Sequence, residues 1–160
     1  MTELDWTPWA EFREIELAVC PPVQREIDRQ KNRGNGRVGR RARKAASMLR
    51  AILLSGEDFR TIRESAPMVR LVIDAHEPAG ADIDDRLDPS VVDDRLVACA
   101  VDAAARVAGA EVRLLTDDMG PMAKAKMMGL PFTATPEEWR RPPEASEEER
   151  IIEKLSLIHI

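Results

Sequence analysis

SVVDDRLVACAVDAAARVAGAEVRLLTDD, residues 90–118, is the stretch on which the fold turns. Leu96, Val97, Ala100, Val101, Ala104 and Val107 recur at helical spacing, which gives a long helix one buried side, with Ser90 as its start and Gly109 as its stop. Glu111 to Thr116 then reads as a strand ending in Asp117 and Asp118. A helix leading into a strand at this spacing is half of a βαβ repeat, and such repeats build a parallel sheet covered by helices. Chemistry in these sheets collects beyond the carboxyl ends of the strands, where Asp118 stands. Asp93, in the first helical turn on the side of Leu96 and Ala100, is expected to face the same edge.

Working outward, Ile15-Glu-Leu-Ala-Val-Cys20 is a strand closed by Pro21-Pro22, and a helix follows from about Pro22 to Lys31. Asn32 to Gly36 is a loop. Ala42, Ala45, Leu49, Ile52 and Leu53 mark a helix from Arg37 to about Leu54 whose other face carries arginines. Val69 to Ile73 is a strand, followed by an acidic loop holding Asp74, Glu77, Asp82, Asp84, Asp85 and Asp88, expected to be solvated. A helix from Met119 to Met128 stops at Gly129, a short strand spans Pro131 to Ala134, and a helix starts at Thr135 to Glu138. The pattern predicts a three-layer α/β/α domain over residues 1–141. Residues 142–160 read as a charged helical tail, and Leu155-Ser-Leu-Ile-His-Ile160 as a sequencing-adapter artefact, so His159 is given no role.

The 160 residues leave room for one ordinary domain, and 44% hydrophobic content excludes a disordered chain. No apolar run approaches the roughly 18 residues of a membrane span, and no secretory leader pattern opens the chain. Cys20 and Cys99 form no CxxC and no Cys/His cluster. A cytoplasmic protein with reduced thiols and no membrane partner is therefore expected. The net charge of −5 hides a basic stretch that includes Arg37, Arg40, Arg41, Arg43 and Lys44. Trp6, Trp9 and Phe12 are expected to pack over the sheet, because aromatics make up only 4% of the chain and cannot form an extended base-stacking platform.

No GxGxxG, Walker A, HExxH or GxSxG motif is present, and His76 is the single credible histidine, which excludes dinucleotide, P-loop, zincin and Ser/His hydrolase chemistry. Carboxylates remain. Glu26, Asp93 and Asp118 come from three elements and converge on one sheet edge in this reading. Oxygen donors of that kind suit a hard divalent cation, which can activate water for phosphodiester cleavage. Each acid has an ordinary alternative: Ser90-x-x-Asp93 fits a capping box, Asp118 fits a helix N-cap, and Glu26 can pair with Arg25 or Arg29.

Three segments taken in order carry a family resemblance. Pro21-Pro-Val-Gln-Arg-Glu26-Ile-Asp-Arg-Gln-Lys31, then Asp93-Asp-Arg-Leu-Val-Ala-Cys-Ala100, then Leu114-Leu-Thr-Asp-Asp118-Met with Lys124-Ala-Lys-Met-Met-Gly-Leu-Pro131, resemble a PIN domain over about residues 15–139. The resemblance implies a Mg²⁺- or Mn²⁺-dependent endoribonuclease acting on RNA, with Glu26, Asp93 and Asp118 as catalytic metal-binding acids and Asp117 and Asp94 as auxiliary ones. Arg37, Arg40, Arg41, Arg43 and Lys44 would hold RNA phosphates. PIN domains open with a strand ending in a metal-binding Asp, which has no counterpart here. The resemblance therefore implies a fragment lacking the first, central strand, with exposed sheet edges, reduced stability and an activity that suffers from the absent ligand. A non-catalytic RNA- or protein-binding module and a metal-dependent phosphatase remain open as alternatives, as do homodimerisation and an antitoxin-like protein partner.

Overall fold

Ile15, Leu17 and Val19 alternate with Glu14, Glu16 and Ala18, and this period of two forms strand β1 (Glu14–Val19), its apolar positions half-buried and the others exposed. The computed structural model describes residues 4–34 and 36–139; the tail and adapter-like ending expected at 142–160 lie outside them. Pro21 and Pro22 occupy the first turn of α1 (Pro21–Lys31), where the missing N–H groups cost nothing. The arginine-faced helix is α2 (Arg37–Ser55). Gly39 lets it start close to the preceding turn, since a Cβ there would lie 2.6 Å from the Gly34 carbonyl oxygen.

Strands β2 (Phe59–Arg63) and β3 (Met68–Ile73) follow, then α3 (Val92–Arg106), β4 (Leu114–Leu115), α4 (Met119–Met128) and β5 (Phe132–Thr133). Single 3-10 turns sit at Thr7–Trp9, Gly80–Asp82 and Glu137–Trp139, the last taking the place of the helix start expected at Thr135. The class is α/β, as expected. Its strands lie in two sheets: β1-β3-β2, with β3 in the middle, and β4-β5. β1 and β3 run parallel from Glu14 opposite Met68 to Val19 opposite Ile73, and β4 is parallel to β5. β2, which the sequence reading missed, pairs antiparallel with β3. Among the described residues no strand joins the two sheets.

Val97 and Ala98 of α3, Leu114 of β4, Ala125 of α4, Leu87 and Leu130 form the main apolar core. α1 packs on α2 and on α3, and α3 packs on α4. The buried face of α3 runs through Asp94, Val97, Ala98 and Cys99. Of the expected stripe, Val97 is buried and Leu96, Ala100 and Val101 pack half-buried against this core, whereas Ala104 and Val107 are exposed. Trp6, which is buried, meets Trp139 edge-on with ring centroids 4.7 Å apart, and Trp9 lies 6.3 Å from Phe12 and 6.2 Å from Trp139. The Trp139 indole N–H donates to the Asp5 carbonyl at 2.6 Å. These aromatics pack on each other and tie the start of the described chain to its end. No helix among the described residues is long and apolar enough to cross a membrane.

Candidate functional site

The α3 start is set by the chain before it. Ser90 donates its N–H (2.8 Å) and its hydroxyl (2.7 Å) to the Asp88 carboxylate, so it closes a turn and does not cap the helix. Val91 takes the N-cap position, without a side-chain bond, and the capping box expected of Ser90 and Asp93 does not form. The next two carboxylates then diverge. Asp94 points inward, its side chain 4% exposed, and one oxygen accepts from the Asp88 N–H at 2.8 Å and from Lys124 Nζ of α4 at 3.0 Å. Asp93 is exposed and reaches the start of α4, where its Oδ2 would lie 2.8 Å from a Cβ placed on Gly120. Only a residue without a side chain leaves that carboxylate undisturbed.

Asp118 occupies the N-cap position of α4 in extended geometry, with no side-chain cap bond. The Thr116 hydroxyl, at the end of β4, accepts the Asp118 N–H at 3.2 Å and fixes the turn that presents it. Asp117 turns the other way: its carboxylate accepts from the Thr135 N–H at 2.9 Å and holds the segment after β5 against the end of β4. Asp93 and Asp118 thus come from separate elements to one helix N-terminus, and the positive end of the α4 dipole favours both as anions.

Glu26 is not brought into this group. It is half-buried on α1, its carboxylate bonded to Arg29 at 2.5 Å and to the Gln30 side-chain amide. The Arg29 guanidinium, and after it Gln30, hold its carboxyl below the usual range. Of the three ordinary alternatives, the structure adopts the ion pair of Glu26 and the N-cap position of Asp118, the latter without a side-chain bond, and not the capping box. Among the described residues no three Asp, Glu, His or Cys side chains gather closely enough to hold a metal. Two carboxylates at one helix N-terminus still fit the donor chemistry of Mg²⁺ or Mn²⁺, which keep several waters and take few protein oxygens.

The basic helix and the acidic loop are also more engaged than their composition suggests. Arg40, Arg41 and Lys44 are exposed on α2 and Arg37 is half-buried. Arg43, also exposed, latches the α1–α2 loop, donating from Nη1 to the carbonyls of Lys31 (2.9 Å) and Gly34 (3.0 Å). In the loop, Glu77 bridges Arg25 of α1 and Arg95 of α3 at 2.5 and 3.2 Å, and Asp84 pairs with Arg86. Asp74 takes the His76 N–H and an Arg106 guanidinium nitrogen at 2.9 and 2.8 Å, while Asp102 holds both Arg106 and the His76 ring. This loop, expected to be only solvated, is strapped to α1 and α3. An open cleft of about 450 Å³ beside it is lined by Arg25, Glu77, Pro78, Ile83, Pro89 and Arg95.

The Asp94–Lys124 pairing escaped the sequence reading, although the spacing of Asp94 to Val97 and Ala98 on the buried face could have flagged it.

Searches of curated proteins and of solved structures return no significant match. A family model described as PIN domain matches residues 6–135, which takes in β1 through β5 and all the acids just placed. With most of its length inside that match, the chain belongs to the PIN domain family.

Proposed function

We propose that this protein is a metal-dependent endoribonuclease that hydrolyses RNA phosphodiester bonds, with Asp93 and Asp118 as the principal ligands of Mg²⁺ or Mn²⁺. The observation that carries this reading is the pair of carboxylates at the α4 N-terminus, neither making a side-chain capping bond, in a member of a generally metal-dependent, nuclease-type family. A hard divalent ion bound there supplies an activated water and neutralises charge developing on the phosphate. The chain's own residues hold the acids ready. Thr116 fixes the Asp118 turn, Gly120 leaves room for Asp93, and the Asp94–Lys124 pair locks α3 to α4 beside them. Glu26 serves as a third acid in this scheme after releasing Arg29 and Gln30, with Asp117 in support. Arg37, Arg40, Arg41 and Lys44 attract RNA phosphates without regard to sequence, an attraction that weakens with salt. Two unpaired cysteines support a cytoplasmic setting.

Purified protein incubated with single-stranded RNA and Mn²⁺ should release fragments and stop on addition of EDTA. Asp118→Asn should abolish cleavage while unfolding at the same temperature as the parent. Cleavage by the variant at the parental rate overturns the assignment.

The ion-paired state of Glu26 favours a second reading, a PIN-fold module that binds RNA without cutting it. That reading requires RNA binding indifferent to EDTA and lost when the cations from Arg37 to Lys44 are neutralised together.

A further inference from the structure

The cleft beside the acidic loop has a charged side and an apolar one. Arg25 comes from α1 and Arg95 from α3, while Glu77, Pro78, Ile83 and Pro89 come from the segment between β3 and α3. Glu77 is committed to Arg25 by two parallel hydrogen bonds, its Oε2 accepting from Nη1 at 2.8 Å and its Oε1 from Nη2 at 2.5 Å. Arg95 receives less. Its Nε lies 3.2 Å from Glu77 Oε1 as an ion pair without hydrogen-bond alignment, and that Nε is buried with no hydrogen-bond partner. The Arg95 side chain is nevertheless 31% exposed and lines the cleft, so a partner for its guanidinium reaches it at the Nη edge.

We propose that this cleft binds one nucleotide unit of single-stranded RNA, with its phosphate on Arg95 and its base against Pro78, Ile83 and Pro89. The inference rests on the reading of RNA as ligand given above and adds a subsite to it. Charge selects the ligand: two guanidinium groups against one carboxylate leave the lining with one positive charge, which a phosphodiester matches. Among the described residues Glu77 is the single acid of the lining, and the loop carboxylates of Asp84 and Asp88 are turned to Arg86 and Ser90. Size and surface agree. A volume of about 450 Å³ is in the range of pockets that take small ligands, and an apolar wall opposite a cation suits a flat ring carrying an anionic tail.

Position links the cleft to the proposed metal-binding acids. Arg95 follows Asp93 by two residues, roughly 200° around the start of α3. A single strand crossing that helix end, about 10 Å wide, covers the distance in roughly three nucleotides. The cleft then grips RNA on one side of α3 while Asp93 and Asp118 meet a neighbouring phosphate on the other. Its walls are set before the ligand arrives, because the Arg25–Glu77 pair ties the loop to α1 and the buried Asp94 accepts the Asp88 N–H at 2.8 Å, next to Pro89.

The test is read as binding in EDTA, so it does not depend on cleavage. A fluorescein-labelled uridine hexanucleotide should bind the full-length protein; Arg95→Gln should weaken that binding by about tenfold and lower the slope of log affinity against log salt by about one. Glu77→Gln removes the carboxylate that competes with phosphate and should tighten binding, whereas a purely structural strap gives weaker or unchanged binding. In the parent, phenylglyoxal modification of Arg95, mapped by mass spectrometry, should slow when a uridine trinucleotide is added, and slow less with an abasic trinucleotide that has phosphates without bases. Parental affinity and slope in folded Arg95→Gln, or an Arg95 that RNA does not protect in the parent, overturns the proposal, as does protection by a glutamate-rich peptide in place of RNA. RNA held this way but never cut in Mn²⁺ supports the cleft and removes the nuclease reading; RNA cut by the parent and bound equally by Arg95→Gln does the reverse.

Discussion

Gly120 and Asp93 are coupled through a single close approach, and that coupling separates stability from function at one position. Alanine is the better helix former by about 1 kcal/mol, so Gly120→Ala should leave α4 as stable as before or slightly more so. The new Cβ, however, occupies the place of the Asp93 carboxylate oxygen, whose exposed side chain swings aside at little cost. The expected outcome is an unchanged or raised melting temperature together with a clear loss of Mn²⁺-dependent RNA cleavage, measured on the same preparation. Retention of full cleavage would show that the Asp93 position does not matter. At this scale the sequence was informative about Asp93 and Asp118, because strand ends and helix starts can be located from local patterns. It was uninformative about Glu26, whose choice between metal and Arg29 depends on rotamers. It also undervalued Asp94, because the stripe through Leu96, Val97, Ala100 and Val101 leaves open which of two adjacent acids faces inward, and Lys124 of α4 decides it.

Elements whose burial follows their apolar pattern were legible; those governed by a partner were not. β1, α1, α2, β3 and α4 appear within a residue or two of their expected bounds. β2 was missed because its half-buried positions are Thr61 and Arg63 while Phe59 and Ile62 are exposed, the reverse of an inward apolar face. β4 is shorter than the apolar run from Glu111 to Thr116 because β5 offers only Phe132 and Thr133 as ladder partners. The joint between β3 and α3 is likewise a tertiary product, made by Asp74 accepting from Arg106 and from the His76 backbone. Burial works to raise the Asp74 carboxyl, but the His76 N–H and Arg106 outweigh it and hold it below 3.8. A carboxyl depressed in the folded state stabilises that state at all pH values above its unfolded pKa and loses the contribution as pH falls through the folded one. Asp74→Asn should therefore lower the urea midpoint at neutral pH and lose less of it than the parent when pH is taken from about 5 to about 3. Parallel loss in both proteins would remove Asp74 from the acid response.

Taken whole, the described residues form two sheets. β1, β3 and β2 form one and α1 packs on α2, whereas β4 and β5 sit with α3 and α4 around the core of Val97, Leu114 and Ala125. The contact of α1 with α3, the strapped acidic loop and the Trp6–Trp139 pair hold these parts together. Among the described residues no hydrogen-bonded ladder crosses that seam, so opening it breaks side-chain contacts and leaves both ladders intact. Such a hinge predicts two cooperative exchange units. Amides around Val69 and those around Val97 and Ala125 should exchange with distinct opening free energies under native conditions, and one common value for both would contradict it. The domain then behaves less as a single cooperative block than as two leaves on a spine.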